Sequence, residues 1–173
     1  MNVLYTLIGI LLITVVSSGD VQALSEQELT PEEKADFEAN WKPLDVTGAA
    51  IPWKVFAETG TEEICSKDKD GYDDCLIKPD YSESIKKLDG MTVTLMGFMF
   101  PLDQTEEQKN FLIGPYPLSC PYHYHIGPEN VIEVLASDGI QFSFEPVTVT
   151  GKLSVRFNEE TGVFYYLEDA KSQ

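Results

Sequence analysis

The chain has 173 residues, 43% of them hydrophobic and 11% aromatic. That is enough apolar material for one buried core, and the length fits a single domain. Its 29 acids against 12 Lys plus Arg give a formal charge of −17. This excludes nucleic acid as a partner, because phosphate-backbone binding needs a basic surface that releases counterions. An acidic surface instead favours solubility, cations and basic patches on partner proteins.

Met1 to Val16 is almost wholly apolar, and Val21-Gln22-Ala23 supplies small residues in the arrangement that signal peptidase prefers. Residues 1–23 are therefore expected to be a cleavable signal peptide. No Lys or Arg precedes the apolar run, so the competing reading is an uncleaved N-terminal anchor, although the run is short for a membrane span.

Residues 24–50 read as an N-terminal helical and extended segment, ahead of a domain over 51–173. Thr30-Pro31-Glu32-Glu33 is a helix start, with Thr30 as N-cap, Pro31 at the first helical position and Glu33 completing a capping box. A short helix to about Trp41 follows, with Phe37 and Trp41 on one face. Gly48 to Phe56 reads as an extended approach and a turn of helix, and Ser82 to Leu88 as another short helix before Asp89-Gly90 turns the chain.

Between these helices, Cys65 and Cys75 bracket a polar, turn-rich stretch from Ser66 to Asp74. In an oxidising compartment a Cys65–Cys75 disulfide is the natural pairing, although pairing of either with Cys120 is also compatible with the sequence. Ser66, Asp68, Asp70 and Gly71 fall at positions 1, 3, 5 and 6 of a calcium-loop template. The match is poor, since position 12 would be Ile77, which has no carboxylate to offer. A solvated acidic turn is the better reading.

From Met91 the pattern becomes that of strands. Met91 to Met96 alternates with a period of two, and Gly97 reads as a bulge or bend before Phe98 to Pro101. Met91 shares the parity of Val93 and Leu95 and is expected to point inward with them. Further strands are expected over Phe111 to Ile113, Val131 to Leu135, Ile140 to Phe144, Val147 to Arg156 and Val163 to Leu167. Asn158 to Gly162 forms a hairpin loop between the last two. Five or six short strands with little helix imply a mainly β fold, a small barrel or sandwich.

Within this region, Cys120 and the two histidines of the chain lie in Pro117-Leu118-Ser119-Cys120-Pro121-Tyr122-His123-Tyr124-His125. A thiolate and two imidazoles this close suit one borderline or soft cation, zinc, with copper(I) as the alternative. Cys120, His123 and His125 are the candidate ligands, with Glu129 or water as the fourth. Met96 and Met99 are the thioethers that could favour copper, although Met on strands more often fills core gaps. Two readings compete with the metal site. In one, Cys120 packs in the barrel and the Tyr and His side chains form a rim for a partner protein. In the other Cys120 is a nucleophile, but no orienting Asn or Asp is identifiable from spacing.

Leu88-Asp89-Gly90-Met91-Thr92-Val93, Gly97-Phe98-Met99-Phe100-Pro101-Leu102, Phe111 to Pro117, Cys120-Pro121 and Gly127-Pro128-Glu129 together resemble the DUF3299 family of bacterial exported proteins. The resemblance runs from about Ile51 to Leu167. It implies an OB-like β-barrel, a periplasmic location and no enzymatic activity. It also implies company with an ABC-type envelope transporter or lipoprotein-sorting component, in some members near zinc-responsive genes, which supports metal handling by association alone. The family pattern often carries a second Cys where this chain has His123. Imidazole replaces thiolate readily on zinc but not in a redox disulfide.

Overall fold

The computed structural model describes Thr30, residues 42–117 and residues 126–173. The expected signal peptide over 1–23 lies outside the described residues, as does the expected helix to Trp41, apart from Thr30. In chain order the described elements are α1 (Trp53–Phe56), β1 (Gly60–Lys67), β2 (Asp73–Asp80), α2 (Glu83–Lys86) and β3 (Thr92–Pro101). They continue with β4 (Glu107–Gly114), a 3₁₀ turn (Pro128–Asn130), β5 (Ile132–Gln141), β6 (Val147–Val155) and β7 (Tyr165–Ser172). Among these residues no helix is long and apolar enough to cross a membrane.

Five strands close into a barrel in the order β3-β4-β5-β7-β6. All neighbours are antiparallel except β5 and β7, which run parallel. The path is therefore a Greek key and not a meander, and the barrel is OB-like, as expected. The two-residue alternation places Val93, Leu95 and Met99 of β3 inside with Phe111 and Ile113 of β4. Ile132 and Val134 of β5, Val149 and Leu153 of β6, and Tyr165 and Leu167 of β7 complete the interior.

β3 is one continuous strand that changes partners. Thr92 to Gly97 pairs with β6, whereas Phe98 to Pro101 pairs with β4. Gly97 is thus the switch point of an unbroken strand, and no register shift occurs in either pairing. A Cβ there would lie 2.7 Å from the Gly114 carbonyl oxygen, 2.8 Å from Ile113 and 2.9 Å from the Trp53 ring, so only glycine fits. Met91 precedes the strand and is exposed, against the inward parity expected of it. Its position is fixed by the turn after α2, where its N–H donates to the Leu88 carbonyl.

Two expected strands, Val131 to Leu135 and Ile140 to Phe144, are one element. β5 carries through residues 136–139 with a register shift against β4, and ends before Phe142. At the β6–β7 pairing, Asp169 adopts φ 53° in a bulge opposite Gly151. The chain approaches so closely there that a Cβ on Gly151 would lie 2.7 Å from the Glu168 carbonyl.

The helices seal the barrel with aromatics. α1 buries Trp53 and Phe56; the Trp53 indole donates to the Met96 carbonyl at 2.8 Å, and Phe56 meets Tyr165 edge-on at 5.3 Å. α2 is capped by Ser82, whose hydroxyl accepts from the Ile85 N–H, and it buries Ile85 completely.

The polar, turn-rich stretch bracketed by Cys65 and Cys75 belongs to a regular hairpin. β1 and β2 pair only with each other, and β1 is exposed along all eight residues. Sequence alternation could not reveal it, because neither face is buried in the barrel. A two-stranded hairpin on its own is marginal in water. Here Cys65 and Cys75 are direct cross-strand partners with Cα atoms 4.0 Å apart, and a disulfide joins them.

Candidate functional site

The predicted ligands Cys120, His123 and His125 lie outside the described residues. Both stems of their segment are described, since it connects β4 to the 3₁₀ turn before β5. On the β4 side, Pro115 accepts the Leu44 N–H at 2.8 Å, tying the stem to the chain that precedes α1. Gly114 keeps the stems close, because a Cβ there would lie 3.3 Å from the Asn130 carbonyl and 3.2 Å from the Phe100 ring.

On the β5 side stands Glu129, the fourth predicted ligand and the one whose position is described. It is half-buried in the 3₁₀ turn, with Asn130 Nδ2 donating to its Oε1 at 2.8 Å. The carboxylate folds back over Gly127: a Cβ on that glycine would lie 2.3 Å from either Glu129 oxygen. Gly127 is therefore the residue that leaves room for this pose. The Glu129 charge reaches the barrel end. Burial, and then this carboxylate, push the Tyr116 hydroxyl above its ordinary range. Burial pushes Tyr165 up to about 12, Glu129 adding to the shift while the hydrogen bond with Thr59 opposes it. Such an anion beside the segment's exit suits a cation better than a second anion.

The Cys65–Cys75 pairing expected from the sequence is formed. The stretch between the two cysteines is a tight turn as well as strand. Asp68 Oδ1 accepts from the backbone N–H groups of Asp70 and Tyr72 at 2.9 and 2.8 Å, and Gly71 takes φ 87°. The acids that invited the calcium template therefore serve an Asx turn in part.

Among the described residues, the group of three metal-ligating side chains that lies within 4.8 Å is Glu63, Cys65 and Cys75, all exposed. Glu63 was not singled out in the sequence. The available signal was its spacing of two from Cys65, which places both on one face of a strand.

A second feature missed in the sequence is a shallow open groove of about 410 Å³ at the β3–β4 turn, lined by residues including Asp103, Thr105, Gln141 and Phe142. The Thr105 hydroxyl and backbone N–H both donate to Asp103, and Gln108 Nε2 adds a third bond at 2.9 Å. Together they hold the Asp103 carboxyl below the usual carboxylate range.

The family model described as DUF3299, a protein of unknown function, matches residues 27–171. A solved structure, that of a DUF3299 family protein from Pseudomonas aeruginosa PAO1, is similar at 21% identity, covering 56% of this chain and 68% of that one with a TM-score of 0.46. No curated protein matches.

Proposed function

The chain belongs to the DUF3299 family, and from that premise we propose that it is a periplasmic, non-enzymatic domain that binds a transition metal. Zinc is the first choice and copper(I) the second. Cys120, His123 and His125 supply the ligands, and Glu129 or water completes the set. Its place of work is beside an ABC-type envelope transporter or lipoprotein component.

The observation that carries this reading is the Cys65–Cys75 disulfide. The chain has three cysteines, so their pairing leaves Cys120 with no cysteine of its own chain to join. A thiol left over in an exported protein, three residues from one His and five from another, calls for a role that uses it. Glu129 adds an acidic neighbour at the segment's exit. The test is a titration of the oxidised mature protein with Zn²⁺. About one equivalent should bind, and at a hundredfold excess over the dissociation constant it should stabilise the fold by about 2.7 kcal/mol. Uptake that is absent, or undiminished in a Cys120→Ser, His123→Ala, His125→Ala variant, removes the site.

A second reading, a metal-free interaction module of the same envelope machinery, is favoured by the β1–β2 hairpin, which pairs with no strand of the barrel. Its exposed Ile64, Ile77 and Tyr72 have no packing role in the barrel. Under that reading the triple variant keeps its partner, whereas deletion of the hairpin loses it.

A further inference from the structure

We propose that the β1–β2 hairpin is a redox-gated metal site, closed as a disulfide and opened by reduction to bind zinc through Cys65, Cys75 and Glu63. The inference does not need the Cys120 site, because its ligands lie on a different element.

Three observations meet here. First, the two cysteines are opposed in the ladder, and Glu63 precedes Cys65 by two residues, so all three side chains leave the same face. Their ligand atoms already lie within 4.8 Å of one another. Two zinc–thiolate bonds of about 2.3 Å in tetrahedral geometry separate the sulfurs by roughly 3.8 Å. Rotation of two exposed side chains across a Cα separation of 4.0 Å meets that need without moving the strands. Second, both cysteines are exposed, so a thiol reagent can reach the bond. Third, the hairpin has no core of its own and is braced by that covalent link, so a zinc bridge between the same two residues would restore the brace that reduction removes.

The chemistry balances with a dithiol as reductant. One of its thiolates attacks a hairpin sulfur and forms a mixed disulfide, and the second resolves it. Two electrons and two protons pass to Cys65 and Cys75, and the reagent leaves as its own disulfide. Zn²⁺ then displaces the two thiol protons, the Glu63 carboxylate gives the third bond, and water gives the fourth. Two thiolates and one carboxylate select zinc over calcium or magnesium, which want oxygen alone.

The experiment is a Zn²⁺ competition titration against a chromophoric chelator, on the full mature chain carrying Cys120→Ser, His123→Ala and His125→Ala. Oxidised, this variant should bind no zinc tightly. Reduced with dithiothreitol and freed of it, it should bind about one equivalent, and Glu63→Gln should weaken that binding at least about tenfold. Reoxidation should release the ion. Amide exchange over 60–80 should quicken in the reduced, metal-free form and slow again with zinc. No uptake by the reduced variant, or uptake that survives added Cys65→Ser and Cys75→Ser, overturns the proposal. If the triple variant does not fold, the wild-type chain serves: reduction must add one zinc equivalent to whatever the oxidised form binds, and an unchanged stoichiometry refutes the hairpin site. Oxidised wild type alone reports on the Cys120 segment, so the two sites fail separately.

Discussion

Gly97 shows how one missing side chain shapes the barrel. At the residue where β3 leaves β6 for β4, the space a Cβ needs is held by the Gly114 carbonyl, Ile113 and the Trp53 ring. Backbone and a sealed indole do not yield easily, so Gly97→Ala should cost about 1–3 kcal/mol, read as a lower urea midpoint. Gly48 offers a contrast, since a Cβ there meets nothing within 4 Å although φ is +69°. Its alanine variant should lose only the conformational term, about 1 kcal/mol. Equal losses at both positions would argue against close packing at Gly97. Tyr165 sets a pH dependence. Its hydroxyl donates to Thr59 at 2.7 Å inside the barrel end, and burial pushes it up to about 12 from the ordinary 10.0. The unfolded chain releases this proton first, so the contribution is intact below pH 10 and is lost as pH rises through 12. Tyr81, also raised by burial and by the neighbouring tyrosines, acts in the same sense. Unfolding free energies measured from pH 9 to 11.5 should fall more steeply for wild type than for Tyr165→Phe.

At the scale of elements, the hairpin and the barrel should respond differently to the same insult. The disulfide closes a short loop, and its loss from the oxidised state should destabilise the hairpin by about 2–3 kcal/mol in the chain-entropy model. The barrel core holds no residue of β1 or β2. Cys65→Ser with Cys75→Ser should therefore abolish amide protection over 60–80 and move the main thermal transition by only a few degrees. A large fall in that transition would mean that the barrel depends on the hairpin. The ion pair from Lys78 to Glu159 ties β2 to the β6–β7 connection at 3.4 Å, with both side chains well exposed. Lys78→Ala should change stability by less than about 1 kcal/mol.

On the whole-molecule scale two terms dominate, barrel closure and charge. β5 and β7 make the parallel seam that closes the barrel, and Val134 and Leu167 face each other across it with neither exposed. Leu167→Ala should cost about 2–5 kcal/mol, and the transition should stay single because the five strands share one core. The charge of −17 opposes compaction through self-repulsion. Raising NaCl from 10 to 150 mM should increase the thermal midpoint, most of the gain arriving as the Debye length falls toward about 8 Å. A midpoint that falls with salt would show that attractive pairs outweigh the net repulsion.

The elements that bury one face were the legible ones. The strands over Met91 to Met96 and Val147 to Arg156, the helical turn ending at Phe56 and the short helix over Ser82 to Leu88 could all be read along the chain, because their local pattern matches the surface they bury. So could the Cys65–Cys75 bond and the class of fold. The β1–β2 hairpin was illegible because β1 is exposed throughout and β2 only half-buries Leu76, Lys78 and Pro79, which leaves no hydrophobic period. The continuity of β5 was hidden for a related reason, since residues 136–139 pass through a register shift where alternation breaks. For the candidate site, the sequence alone supplied the proximity of Cys120, His123 and His125, a matter of residues adjacent in the chain. The tertiary structure decided what depends on residues distant in it: Glu129 brought within electrostatic reach of Tyr165, Glu63 and Cys65 set against Cys75 of the facing strand, and Gly97 admitted where three elements converge. Local order follows from spacing along the backbone, whereas close approach between separated segments exists only once the barrel has closed.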